Sequence, residues 1–373
     1  DAGTGTLDAA TNNTGLGHEV FDDLTSGDNN TGVGMQALTK LTTGSQNTAM
    51  GALALDANTT ADNNTAVGYN ALTGNTTATA NTAVGSQAAD ALTEGQFNTA
   101  IGHTALGADT LGSHSVALGY GALTTQNFTT ATNAFNTALG NNALYANTTG
   151  TSNTAAGYAA LDANTTGGSN VAVGRDALGA NTTADANTAL GYGSLRDNTT
   201  GSGNVGLGYL ALEENTTGGN NTAVGFEALE ENTTASNNTA VGYQTLAANT
   251  TGAQNTAVGG YALDANTTAG NNTAIGYSSL GANTTGTSNV GVGAFSLNDN
   301  TTGSQNTAVG QNALEAATTA DNNTAVGFQA MYTNTTGTAN AALGTYALDA
   351  NTTGDSNTAI GYGTLTNAQT ADA

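Results

Sequence analysis

The chain repeats itself every 17 residues, and that period constrains its fold more than any other feature. One copy reads Asn64-Thr65-Ala66-Val67-Gly68-Tyr69-Asn70-Ala71-Leu72-Thr73-Gly74-Asn75-Thr76-Thr77-Ala78-Thr79-Ala80. With positions counted from that first Asn, position 5 is Gly in all 21 copies, among them Gly17, Gly68, Gly119, Gly174, Gly225, Gly276, Gly327 and Gly361. Twenty copies begin with Asn, and the other with Ser115. The spacing changes once, to 21 residues between Ser115 and Asn136. That places an inserted loop at 124–135, in which Asn127 is a contact candidate and Phe128 is either a tucked anchor or an exposed contact. Residues 1–12 read as a partial coil and 13–373 as one array. A chain of 373 residues would otherwise suggest two or three domains, but a linear array needs no boundary.

The columns of the repeat say what a copy becomes. Position 4 is mostly aliphatic (Val67, Val224, Val241) and position 9 is Leu in 18 copies (Leu72, Leu229, Leu246). Position 2 is usually Thr, but Val116, Val171, Val205 and Val290 replace it. Positions 2 and 4 therefore share one side of a short strand, which we expect to face inward together with position 9. Position 3 is Ala or Gly, so something approaches closely on its side. Gly at position 5 implies a positive φ or a tight corner. Position 12 is Asn in 14 copies, including Asn58, Asn75, Asn147, Asn164, Asn181 and Asn198, but Leu at Leu24, Leu41 and Leu92. A site that accepts either is inside, where stacked amides can bond from coil to coil.

One copy holds about three apolar residues, too few to fold alone. Stacking copies solves this. The expected fold is all-β: a single-chain parallel β-solenoid of about 21 coils, roughly 100 Å long at ~4.8 Å per coil. Gly, Thr and Asn disfavour helix, and a column of Leu held in register argues against disorder.

The Val-Ala-Leu-Gly of Ser115–Gly119 and the Val-Ala-Val-Gly of Asn170–Gly174 resemble head repeats of trimeric autotransporter adhesins. The longer Asn-Thr-Ala-Val-Gly-Tyr-x-Ala-Leu form resembles repeats of phage tail-fibre-like proteins. The resemblance covers residues 13–373 and implies a fibre, an adhesin shaft or a receptor-binding surface. It also implies left-handed coiling and a homotrimer. The chain shows no heptad stalk, membrane anchor or chaperone domain of the kind those families carry.

Charge narrows the partners. Three Lys and Arg oppose 27 acidic residues, a net charge of -24. That excludes nucleic-acid backbone binding and disfavours anionic lipid. No apolar run reaches membrane-spanning length. Without Cys there is no thiolate nucleophile, and His18, His103 and His114 have no repeated partner, so no enzyme is expected. No cofactor is expected either. Turn carboxylates such as Asp162 and Glu213 admit calcium, but their positions shift from coil to coil, which favours solvated charge.

Three surfaces remain as candidates. Position 6 carries an aromatic stripe (Tyr69, Tyr158, Tyr192, Tyr209, Phe226, Tyr243, Tyr277), read either as a contact surface for a glycan or receptor or as rings covering the Gly corner. Thr at positions 13 and 14 would suit ice binding, but the columns are interrupted at Glu94, Leu111 and the insertion. Asn-Thr-Thr is a glycosylation sequon, hidden if position 12 is inside. The leading expectation is an extracellular or cell-surface structural fibre or shaft, or a virion fibre. Segment 3–9 and the final copy 357–373 stop close to repeat register, which leaves two explanations: subunits that polymerise head to tail, which we favour, or a fibre fragment from which flanking domains were removed. The alternatives are a glycan- or receptor-binding fibre segment and, behind it, an ice-binding solenoid.

Overall fold

A computed structural model describes residues 10–366. The terminal segments on which head-to-tail pairing was expected, 3–9 and the last residues of the final copy, lie outside the described residues. The chain is an all-strand parallel β-solenoid of about 21 coils, with no helix among the described residues. It divides into two units, Asp1–Ala186 and Asn187–Ala373. Each is a stack of coils, ten in the first and eleven in the second.

Positions 2 to 4 of each copy form the strand, as in Thr65–Val67. It pairs with the next in parallel, one repeat on: Thr65 with Thr82, Ala66 with Ala83, Val67 with Val84. The same register holds in the second unit, where Thr222–Val224 pairs with Thr239–Val241. The rest of each coil is turn, yet it too is laddered. The N–H of Leu72 donates to the carbonyl of Ala88, 3.0 Å away, and that of Asn70 to Ala52 at 3.1 Å.

The alternation along the strand is as the sequence implies, but its polarity is inverted. Position 3 faces the core: Ala66, Ala223 and Ala240 are fully buried. Val67, Val224 and Val241, expected inside, are half-buried on the outer face. The reason is width. Across the interior, position 3 meets position 8, where Ala71 and Ala228 are also fully buried. Two methyl groups fill that gap and two valines would not. Where position 8 is Ser194 or Val20, position 3 of the next coil is glycine: a Cβ on Gly206 would lie 2.5 Å from Ser194 Oγ, and one on Gly32 would lie 2.7 Å from Val20 Cγ1. Val and Thr then serve outside, where β-branched residues pair well across strands.

Leu72, Leu229 and Leu246 are fully buried, as expected. So are Asn58, Asn75, Asn147, Asn164, Asn181 and Asn198. From Asn147 on, the position-12 amides ladder: Asn164 Nδ2 donates to Asn147 Oδ1 at 2.8 Å and to the Gly167 carbonyl at 3.0 Å, whereas the amides of Asn58 and Asn75 bond only within their own turns. Burial hides the Asn-Thr-Thr acceptors in the folded chain.

Position 1 supplies a second amide ladder that the sequence reading did not assign. Asn47 Nδ2 closes its own coil on the Ala61 carbonyl at 2.8 Å, and Asn30 Oδ1 accepts the Asn47 backbone N–H at 2.9 Å. Where it holds Asn, this column thus seals the coil and ties it to its neighbour.

The backbone turns left three times per coil. Positions 7, 9 and 17 have φ near +55°, as at Asn70 (56), Leu72 (51) and Asn63 (62). Gly68 at position 5 has φ 138, and a Cβ there would overlap the carbonyl of Gly85. The Gly column is therefore required both by its φ and by the close approach of the next coil.

Candidate functional site

Three rows of side chains run over the outer face of each stack: Thr at position 2, aliphatics at position 4 and rings at position 6. In the second unit Tyr192, Tyr209, Phe226 and Tyr243 stack face to face, with centroids 5.4, 5.2 and 5.3 Å apart and planes within 13°. Position 6 then becomes Gly260, and the ring moves to position 7 as Tyr261. It packs edge-on against Tyr243 and Tyr277, at 67° and 82°. The same exchange occurs at Ala294-Phe295 and Thr345-Tyr346. These position-7 rings were missed from sequence, and the signal for them was the small residue just before each.

In the first unit the stripe is broken. Tyr69 lies between coils whose position 6 is Ala52 and Ser86. The Arg175 guanidinium sits over one face of Tyr158, 5.7 Å from its centroid, and Tyr120 stacks on His103. Each ring pair adds about 0.5–1.5 kcal/mol beyond burial.

The position-13 Thr hydroxyls are engaged along the stack. Thr148 Oγ1 donates to the Thr165 carbonyl at 2.9 Å, and Thr216 Oγ1 to that of Thr233 at 3.0 Å. This removes them from the ordered free hydroxyls that an ice-facing column would present.

Carboxylates recur at position 10, half-sunk in the turn. Burial pushes the carboxyls of Asp90, Asp162, Asp264 and Glu230 up, with like-charged neighbours adding to it at Asp162 and Glu230. Burial also raises that of Glu213, against the pull of its ion pair with Arg196. Among the described residues no three metal-ligating side chains converge.

The interrupted coils stand apart from all this. Asp109, fully buried at position 12, replaces an Asn. Its Oδ1 accepts the Gly112 N–H at 3.0 Å, and its Oδ2 accepts from Gln126 Nε2 at 2.7 Å. Gln126 Nε2 also donates to Ser115 Oγ at 2.9 Å, while its Oε1 accepts from Asn136 Nδ2 at 2.8 Å. A mixed network thus carries the position-1 amide ladder past the insertion, from Asn98 through Ser115 and Gln126 to Asn136. Burial raises the Asp109 carboxyl, and its hydrogen bonds oppose that.

The insertion is shorter as a loop than 124–135 suggested. Thr125 remains in the ladder through Tyr145. Phe128 is a tucked anchor, 4% exposed, and Asn127 is exposed. Its hydroxyl neighbour Thr110 donates to Asn127 Oδ1 at 3.1 Å. Thr132–Asn133 forms an extra strand with Gly112–Ser113. Residues 129–131 form the exposed tip. Beside it lies a cleft of about 300 Å³, bordered by Glu94, Phe97, Leu111, His114 and Asn133. Phe97, His114 and Phe135 make a ring column, with centroids 5.1 and 5.3 Å apart.

Compared with known protein families and with curated proteins, the chain matches none, so its chemistry is read from these surfaces alone.

Proposed function

We propose that the chain is an extracellular structural shaft, a fibre or adhesin segment that holds distance between what lies at its two sides. One observation supports this above the others. Its stabilising contacts run as columns from coil to coil: strand register, two amide ladders, a Leu column and ring stacks. Such a molecule can be lengthened by adding copies without redesigning any contact. The acidic surface suits it, because mutual repulsion keeps extended particles from clumping. Joining of copies end to end, or bundling into a trimer, belongs to the same reading.

The test is a change in copy number. Duplicating residues 187–271, five repeats, should lengthen the particle in electron micrographs by about 24 Å at ~4.8 Å per coil. It should leave the width and the melting temperature unchanged or raise the latter. Adding eight residues instead should unfold the array locally, since register is lost. A particle whose length does not follow copy number overturns the proposal. Filaments or wider particles in the same images report the mode of self-association.

A further inference from the structure

An array of this kind contains its own control: each column shows what the coil needs, so a departure marks something the coil does not need. Position 14 is Thr in every copy but four. One of these is Ser26, and the other three are consecutive: Glu94, Leu111 and Phe128. Position 17 is small or an amide everywhere except Phe97, His114 and Phe135, again consecutive. Position 1 departs from Asn at Ser115 alone, and position 12 takes Asp109 and Gln126 in the same place. The sole insertion falls there too. Independent columns thus break together in three successive coils of the first unit.

Part of this is structural. Gln126 and Ser115, with Asp109 held against Gln126, carry the position-1 ladder around the insertion, and Phe128 plugs the gap over Gly112. Glu94, Phe97 and His114 have no such task. All three are exposed, and they border the cleft. Phe97 is 54% exposed even though His114 packs on it. Regular coils fold with Thr and Asn at those columns, so folding does not require these residues.

We propose that this cleft is a binding site for a neutral saccharide. Its volume suits one or two sugar rings at the lower end of ligand sites. Phe97 and Leu111 offer an apolar floor for the C–H face of a pyranose. Around it stand groups that both donate and accept: the amides of Gln96 and Asn133 and the hydroxyl of Ser113, with the Glu94 carboxylate as a strong acceptor. That set matches vicinal hydroxyls. Glu94, on a chain of net charge -24, repels sialylated or sulfated glycans, which fixes the class as neutral.

The experiment returns the cleft to the repeat. Glu94→Thr and Phe97→Asn install residues that regular coils carry, so the fold should persist, as circular dichroism would verify. Binding is read by saturation-transfer difference NMR with methyl β-galactoside, methyl α-mannoside, chitotriose and sialyllactose. The expected result is transfer to at least one neutral sugar at millimolar concentration. Each variant should reduce it at least tenfold, and sialyllactose should give none. Transfer to no neutral sugar overturns the proposal. So does transfer unchanged in both variants, which would locate binding elsewhere, for instance on the Tyr192–Phe226 rings. Preference for sialyllactose refutes the assigned class. None of these outcomes bears on the copy-number test, so the two proposals stand or fall separately.

Discussion

Replacing Ala317 by Asn should stabilise the second unit by about 1 kcal/mol. The amide ladder at position 12 runs unbroken from Asn215, which donates to Asn198 Oδ1 at 2.8 Å, up to Asn300, which donates to Asn283 Oδ1 at 2.8 Å. The next member of the column is Ala317, fully buried. Asn300 Oδ1 is in consequence buried without a hydrogen bond. An orphaned acceptor of this kind costs about 1–3 kcal/mol. Where the column ends at Asn75 and Asn351, the oxygen turns instead to the N–H of Ala78 (3.0 Å) or Gly354 (3.1 Å). A similar adjustment toward Gly303 would recover part of the loss, which sets the gain at the lower end of that range. A new amide at 317 would donate to Asn300 and accept from Asn334 Nδ2, joining the run to the Asn334–Asn351 pair. The assay is urea denaturation of Ala317→Asn, Asn300→Ala and the double variant, with hydrogen exchange over residues 298–336 as the local readout. The coupling between the two sites isolates the hydrogen bond. A coupling energy near zero, or a gain that survives in the Asn300→Ala background, would refute the reasoning.

Two further outcomes follow from the fold. Leu229→Asp should cost about 4 kcal/mol or more, a buried unpaired carboxylate plus a lost Leu, whereas Val224→Asp on the outer face should cost under about 1 kcal/mol; equal losses in urea titrations would reverse the inward assignment of position 3. Stability should also rise on acidification: Asp90, Asp109, Asp162, Asp264, Glu213 and Glu230 have carboxyls raised by burial above their ordinary values of 3.8 and 4.5. The folded chain therefore binds protons more tightly than the unfolded one. Stability is gained as pH falls through the folded values and is complete below the ordinary ones. Asp355, held low by Thr338, acts the other way. A melting temperature lower at about pH 4.5 than at about pH 7.5 would contradict this.

How the fold could be read from sequence depended on the kind of signal. Leu72 was placed inside correctly because its column is apolar in every copy, and Asn75 because its column exchanges Asn with Leu, which an exposed turn would not select. Val67 was misplaced because hydrophobicity was weighed above volume. The decisive residue was its neighbour Ala66, whose smallness records how near Ala71 lies across the interior. The Asn column at position 1 was visible as a near-constant letter, but constancy does not distinguish a buried amide from an exposed turn residue. The candidate cleft was half legible. Glu94 and Leu111 showed as interruptions of a Thr column, yet their convergence with Phe97 and Asn133 needed the coil geometry.

The left-handed Leu at position 9 has a consequence for how such a stack assembles. Gln36 and Gln46, at positions 7 and 17, direct their N–H groups to the coil before, at His18 and Asp28. Leu38, at position 9, directs its N–H to Ala54 of the coil after. At any advancing front, the newest coil can thus fix two of its left-handed bends but not the third. A Leu in that conformation carries about 1–2 kcal/mol of backbone cost, and it is repaid only when the next coil arrives. Each turn is a debt settled by its successor. Zipping should therefore be hesitant over the first few coils and rapid afterwards. When the stack is undone, it should come apart in 17-residue steps, each loosened coil exposing a strained Leu in the one behind it.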